Sequence, residues 1–353
     1  QSCNHVIINH LILLRFETPK LIFEIMLYDN HNRLVNYLRL AVTDRCNLRC
    51  FYCMPEEGIE YVPRHELMSY EEMLRIVRLL ASLGIEKIRI TGGEPFVRRD
   101  MMDFLAAISR IEGLRQIHIT TNGTLTAPLV PDLKKLGIRS VNLSLDTLDR
   151  ERFFQITRRD EFGSVMETFE QLLRHGISTK INTVVMQGKN EEDLIPLAML
   201  TKENLVSVRF IEEMPFNGEG AHYQQLWWNH RRILEALQAQ FPGIEKLPDP
   251  PFSTSYNYQI PGHRGQVGII AAYSRTFCGT CNRLRLTPQG ILKTCLYDQG
   301  VFNIKDLLRE GATDEQVKTA FLDALGNRAK DGFEAERRRF GMPVRESMAS
   351  IGG

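Results

Sequence analysis

The chain has 353 residues, 43% of them hydrophobic and 25% charged, with a formal net charge of +1. That length buries a large core and suggests one big domain plus a smaller one. The near-neutral charge excludes a nucleic-acid binder driven by overall charge but not a local anion site, and no apolar run approaches a membrane span.

Residues Gln1–Ile25 lack a basic n-region and a small-residue cleavage site, so a cytoplasmic location is expected. They do not begin with Met, and Met26 precedes a plausible start. The segment reads as an upstream extension of unknown role, or as an edge strand or helix built from Leu11–Leu14 and Leu21–Ile25.

From Leu38 onward, β-branched runs alternate with amphipathic stretches. The expected strands are Leu38–Thr43, Lys87–Thr91, Gln116–Thr121, Ser140–Leu145, Thr179–Val185 and Val206–Ile211. Between them, helices are expected over Tyr70–Leu83, Met101–Ile111, Leu129–Leu136, Glu151–Phe154 with Val165–His175, and Glu191–Lys202. Ser69 with Glu72 reads as a capping box, and Gly84, Gly137 and Gly176 as helix stops. Six β–α units imply an α/β fold, an incomplete (β/α)6 parallel barrel with an open side; a flat doubly wound sheet has the same period. In either, ligands bind at the carboxyl ends of the strands.

The pattern changes near Gly218. A helix over Trp227–Phe241, a Pro-rich linker, a hairpin turning at Pro288–Gly290 and helices over Asn303–Arg309 and Asp314–Leu325 suggest a smaller α+β domain covering the open side. The expected division is 1–25, 26–218 and 219–353.

Six of the seven cysteines fall into two groups, leaving Cys3 as a bystander. Cys46, Cys50 and Cys53 follow the first strand with C-x3-C-x2-C spacing. Three thiolates leave one iron of a four-iron cluster open for chemistry; zinc with His65 as fourth ligand is the alternative. GGEP (Gly92–Pro95) ends the second strand, where glycines let backbone approach a ligand such as an amino-acid moiety. Cys278, Cys281 and Cys295 form the second group, read as an auxiliary cluster or as structural zinc completed by His263. Arg283 and Arg285 share a strand face and suit a polyphosphate, or form a solvated basic strand.

The first triad with GGEP resembles the radical S-adenosylmethionine superfamily over roughly Leu38–Met214. The run FCGTCNRLRLT, the third cysteine in KTCL and the terminal Gly-Gly resemble the GTP 3′,8-cyclase family of molybdenum cofactor biosynthesis, from about Met26 onward. The resemblance implies two 4Fe–4S clusters, on Cys46, Cys50 and Cys53 and on Cys278, Cys281 and Cys295. It implies S-adenosylmethionine along Tyr52, Gly93, Ser144 and Met214. It places GTP against Arg39, Arg89, Thr120, Lys180, Arg283, Leu284 and Arg285, with Arg209 nearby and the guanine at the second cluster. The implied enzyme is an oxygen-sensitive lyase without a conventional acid–base residue. It would need an external electron donor and pass its product to cyclic pyranopterin monophosphate synthase, with a homodimer as one expected assembly. Gly352–Gly353 would reach the active site. The other readings are a peptide-modifying radical enzyme with an auxiliary cluster, and a zinc-stabilised binding protein.

Overall fold

The computed structural model describes residues 26–214, 226–339 and 346–351. The expectations for Gln1–Ile25 and Gly352–Gly353, and the division near Gly218, lie outside those residues.

Six strands pair in chain order, all parallel: β1 (Tyr37–Ala41), β2 (Lys87–Thr91), β3 (Gln116–Thr121), β4 (Ser140–Ser144), β5 (Ser178–Val185) and β6 (Ser207–Glu212). The crossovers carry α1 (Tyr70–Ser82), α2 (Met101–Ile108), α3 (Val130–Lys135), α4 (Arg150–Thr157), α5 (Phe162–Arg174) and α6 (Leu194–Glu203). The capping box at α1 is present: Glu72 N donates to Ser69 Oγ at 3.2 Å, and Ser69 N donates to Glu72 Oε2 at 2.7 Å. The stripe Met73, Ile76, Val77 and Leu80 is buried against the sheet. Gly84 then takes a φ of +101°, the left-handed stop that a side chain would strain. Helix α6 starts three residues later than expected. Its approach, Glu191–Asp193, is a tighter turn, and Asp193 accepts hydrogen bonds from Thr147 and Arg152.

The remaining elements are α7 (His230–Gln240), β7 (Glu245–Lys246), β8 (Tyr256–Gln259), β9 (Gln266–Ile270), β10 (Arg283–Leu286), β11 (Ile291–Lys293), β12 (Phe302–Asn303), α8 (Ile304–Arg309), α9 (Asp314–Gly326), α10 (Gly332–Arg337) and α11 (Met348–Ile351). Their strands extend the first six at both edges. β9 lies parallel beside β6 and continues through the antiparallel β8 and β7; β10 lies parallel beside β1 and continues through the antiparallel β11 and β12. Residues of β6 and β10 line one common cavity, so the sheet is curled and its two halves face each other.

Side chains alternate across each strand. Outward-facing Leu38, Leu40, Ile88 and Ile90 pack under α1 and α2, while Ile181, Val208 and Phe210 pack under α5, α6 and α7. Both apolar clusters therefore sit between sheet and helices, and the concave face is left to polar residues. Glu212, fully buried at the end of β6, accepts hydrogen bonds from His230 N, His230 Nδ1, Ser274 N and Ser274 Oγ at 2.7–2.9 Å. It thus fixes the start of α7 and the loop after β9 to the barrel strand. Among the described residues no helix is long and apolar enough to cross a membrane.

Candidate active site

The concave face encloses a cavity of about 470 Å³. Alternate residues of the strands reach it: Tyr37 and Arg39 from β1, Lys87 and Arg89 from β2, Thr120 from β3, Asn142 and Ser144 from β4, Lys180 and Asn182 from β5, Arg209 from β6, and Arg283 and Arg285 from β10.

Pairing places like charges side by side. Arg39 lies opposite both Arg89 and Arg285, and Tyr37 lies opposite both Lys87 and Arg283. Arg89 is fixed by donating Nε to Tyr37 Oη at 2.6 Å and Nη1 to Thr120 Oγ1 at 3.3 Å. Burial, with Arg285 and Arg89 nearby, pushes the Arg39 guanidinium well below its ordinary range. Burial and the neighbouring Arg209 and Arg89 push Lys180 down to about 7. Burial would raise the Tyr37 phenol, but the field of Arg89 and Arg39 outweighs it and brings the group down to about 7. Arg209 Nε is buried with no hydrogen-bond partner among the described residues. Cations packed this densely away from water are costly unless an anion joins them. Guanidinium forks suit phosphate oxygens in particular.

The first cysteine triad lies on the loop leaving β1, and all three residues line the cavity. GGEP holds that loop. Gly93 N donates to Thr43 O, and Glu94 N to Arg45 O, each at 2.8 Å. A Cβ on Gly92 would come within 2.4 Å of Thr43 O, and one on Gly93 within 2.2 Å of Arg45 O. The glycines thus allow close approach of the cysteine loop, and both also line the cavity. Glu94 turns away from the cavity to accept hydrogen bonds from Thr121 Oγ1, Asn122 N and Phe96 N. Burial raises it to about 7. Asn122 Nδ2 in turn donates to Cys46 Sγ at 3.6 Å, and Tyr52 Oη to Asp146 Oδ2 at 2.8 Å. Ser347 Oγ donates to Cys53 O at 2.7 Å, and Met348 and Ala349 line the cavity, so the short α11 closes over the first triad.

The second triad also lines the cavity, at the opposite end. Cys278 and Cys281 precede β10, which runs parallel to β1, and Cys295 follows the antiparallel β11. Both put it at the amino ends of the parallel strands, whereas the first triad lies past their carboxyl ends. Five residues of β1 separate the two ends, roughly 16 Å at ~3.3 Å per residue.

Burial pushes the Cys46 and Cys295 thiols up to about 12, and it raises Cys50, Cys53 and Cys278 as well. Cys281 differs. Burial works to raise it, but Arg283 and Arg328 outweigh that and hold it at about 7. Buried thiols need a cation to become thiolates, as an iron–sulfur cluster provides. Three soft sulfur donors beside an open cavity fit a cluster with one iron left free at each triad. The histidines considered for zinc do not join them. The His65 side chain is 83% exposed, and His263 Nδ1 is hydrogen-bonded with Thr201 Oγ1 at 2.8 Å; neither lines the cavity.

All the predicted site residues line the cavity except Leu284. Strand alternation explains the exception: Arg283 and Arg285 point inward, so Leu284 between them is buried in the outer core. Sequence reasoning missed Tyr37, Lys87, Asn142 and Asn182. Each lies two residues from a predicted site residue on the same strand, and that spacing was the available signal.

Comparison with known proteins agrees with this geometry. The Radical SAM superfamily profile matches residues 40–200, and the Molybdenum Cofactor Synthesis C profile matches residues 206–333. The GTP 3′,8-cyclase of Syntrophomonas wolfei is 39% identical over 92% of this chain and 99% of its own length. The chain belongs to the GTP 3′,8-cyclase family. Another relative, the mitochondrial GTP 3′,8-cyclase of Arabidopsis thaliana, is 40% identical over 83% of this chain and 75% of its own. Molybdenum cofactor biosynthesis protein 1 of Bos taurus is 44% identical over 87% of this chain, which spans about half (49%) of that longer protein. Streptococcus suis SuiB bound to S-adenosylmethionine shares the fold, with a TM-score of 0.57 and 19% identity over 82% of this chain and 68% of that one.

Two predictions follow from the geometry of this family member. Gly93→Ala forces the Arg45 carbonyl aside and should destabilise the fold by about 2 kcal/mol or more. An unchanged urea midpoint would show that the β1 and β2 loops are not locked together. The second concerns pH. Lys180 titrates at about 7 in the free protein, and a bound polyanion favours its charged form. Below that pH its attraction for a polyphosphate is complete; above it, binding must draw a proton onto Lys180 and weakens. The affinity ratio of the unsubstituted chain to Lys180→Met should therefore fall between about pH 6.5 and about pH 8.5 in anaerobic calorimetry. A ratio independent of pH would place Lys180 away from the anion.

Proposed function

We propose that this chain is a radical S-adenosylmethionine GTP 3′,8-cyclase, converting GTP to (8S)-3′,8-cyclo-7,8-dihydroguanosine 5′-triphosphate. The observation that supports it most is the band of half-buried cations lying between two cysteine triads in one cavity. In this reading Cys46, Cys50 and Cys53 hold one 4Fe–4S cluster, and Cys278, Cys281 and Cys295 hold a second. S-adenosylmethionine lies along Tyr52, Gly93, Ser144 and Met214. When bound, these groups supply one-electron reduction and hydrogen abstraction.

The chain's own part is positioning. Arg39, Arg89, Lys180, Arg209 and Arg285 grip the triphosphate, and Thr120 holds the Arg89 fork in place. Arg283 and Arg285 sit on the strand that follows Cys281, so they fix the substrate relative to the second triad. The new bond joins C3′ to C8 within one molecule, so holding those atoms in near contact is the main requirement. Val184, Ile211 and Ile270 give the cavity apolar wall that keeps water from reactive species. So many guanidiniums on one cavity wall have no evident use with a peptide substrate.

The proposal extends to an external electron donor, to a downstream synthase that consumes the product, and to a reducing compartment such as the cytoplasm. It retains residues 26–218 as the barrel domain and residues 219–353 as the C-terminal domain.

Anaerobic preparation should yield about eight irons and eight sulfides per chain. GTP with S-adenosylmethionine under reductant should give 5′-deoxyadenosine only when GTP is present. About four irons with zinc at the second triad would remove the guanine–iron contact and reopen the substrate question.

Arg285→Ala should weaken GTP binding roughly ten- to a hundredfold, the ~1.5–3 kcal/mol of a charged hydrogen bond, while S-adenosylmethionine cleavage persists. Lost cleavage with unchanged GTP affinity would assign Arg285 to the other ligand.

A further inference from the structure

Three charged side chains outside the cavity lining frame the second cysteine triad. Asp29, Arg33 and Arg328 are exposed by only 0%, 9% and 2%. Two come from the segment before β1 and the third follows α9, nearly 300 residues away, at a sequence separation of 299 from Asp29.

Arg328 uses each of the five N–H groups that a guanidinium has. Nε donates to Thr294 O at 3.0 Å; Nη1 donates to Cys281 O at 3.0 Å and Asp29 Oδ2 at 3.1 Å; Nη2 donates to Arg283 O at 2.9 Å and Cys281 Sγ at 3.3 Å. It therefore holds the backbone at Cys281, two residues after it, and just before Cys295. Arg33 does the same for Cys278: Nη1 donates to Cys278 O at 3.1 Å and Lys330 O at 2.6 Å, and Nη2 to Ala329 O at 2.9 Å.

Both guanidiniums share one carboxylate oxygen. Asp29 Oδ2 accepts Arg33 Nε at 2.6 Å as well as Arg328 Nη1. Asp29 Oδ1 is occupied by His31 N at 2.9 Å and Arg33 N at 3.0 Å. One carboxylate between two guanidiniums leaves one positive charge in the frame, and Arg328 turns a donor of that charge onto the Cys281 sulfur. Carbonyl clamps alone would fix the loop; the sulfur contact is more than a structural role requires.

We infer that Arg328, anchored by Asp29, is a positioning residue for the second cysteine site: it holds Cys281 in ligand geometry and, through its N–H···S bond, raises the reduction potential of the cluster bound there. This rests on the reading that the second triad carries a cluster. A hydrogen bond and a fixed positive charge at a ligand sulfur both favour the more negative, reduced state.

The test uses the full chain with Cys46, Cys50 and Cys53 changed to Ser, prepared anaerobically, so that bound iron reports the second site alone. The parent is compared with Arg328→Lys and Asp29→Asn for iron and sulfide per chain, melting temperature, and midpoint potential by optical and electron paramagnetic titration. The expected result is a lower midpoint in Arg328→Lys, which loses the N–H···S bond, and a higher one in Asp29→Asn, which leaves two positive charges in the frame, or loss of second-site iron with the parent's melting temperature kept. Asp29→Asn is isosteric and carries the test where Arg328→Lys does not fold. Full iron with the parent's midpoint would overturn the inference alone. No iron in the parent itself would overturn the cluster reading and the inference with it.

Discussion

A concave sheet face crowded with half-buried positive charge is the constraint on which the rest of this molecule depends. Arg39, Arg89 and Arg285 are direct neighbours across three paired strands. Such a face does not stabilise a fold; like charges in a poorly hydrated space oppose it. The convex face offsets this. There, two apolar clusters pack the same strands under helices on the side away from the cavity. Strand alternation lets one segment such as Leu38–Arg39–Leu40 serve both ends. Leucine contributes burial on one side and arginine is held on the other, with no freedom to turn away.

The same alternation arranges the chemistry along the strand direction. Parallel strands expose loops of one kind at each end, so a loop leaving β1 and a loop entering β10 lie at opposite ends of one cavity. The two cysteine triads occupy these ends, and the cations lie between them. A charged ligand held by the strands would therefore lie between two soft-donor sites, each surrounded by side chains that favour a different charge state. Burial is the largest cause raising most of the thiols, with nearby carboxylates such as Asp146 adding to it, whereas at Cys281 the nearby guanidiniums outweigh it. Cys281 is thus the cysteine with the most electropositive surroundings, and it is the one that Arg283 and Arg285 adjoin.

Much of this was legible in the sequence because it is local. The β–α period, the capping box at Ser69 and the spacing of each triad all lie within a few residues. What escaped depends on direction or distance. Lys87 and Asn182 were invisible until the inward face of each strand was fixed, although Arg89 and Lys180 on the same strands were named. Leu284 lies between two inward arginines, and the pleat of β10 turns its side chain to the outer core. The backbone partner of the GGEP glycines, Thr43–Arg45, gave no signal because it lies some fifty residues earlier in the chain. The Asp29–Arg328 pair joins near-opposite ends of the sequence, where no periodicity gives a signal.

The two family profiles meet between residues 200 and 206, yet the hydrogen-bonded sheet has no seam there. β9 pairs with β6 and β10 pairs with β1, so the later part of the chain supplies the neighbours of both outer strands of the six. Without it, β1 and β6 would each show an unpaired edge, a ready template for wrong association. The cationic face would also lose Arg283 and Arg285 from one side, together with the loop that carries the second triad. The contact between β1 and β10 joins Tyr37 to Arg283, so its pairing carries a larger loop-closure cost than the local β–α units do. A site assembled by that pairing has a useful property: the cations are fully enclosed only once both cysteine loops are in place. Cavity, charge and soft donors thus arise together from one closing step, and a chain that stops short of β10 lacks the enclosed anion site as well as the second triad.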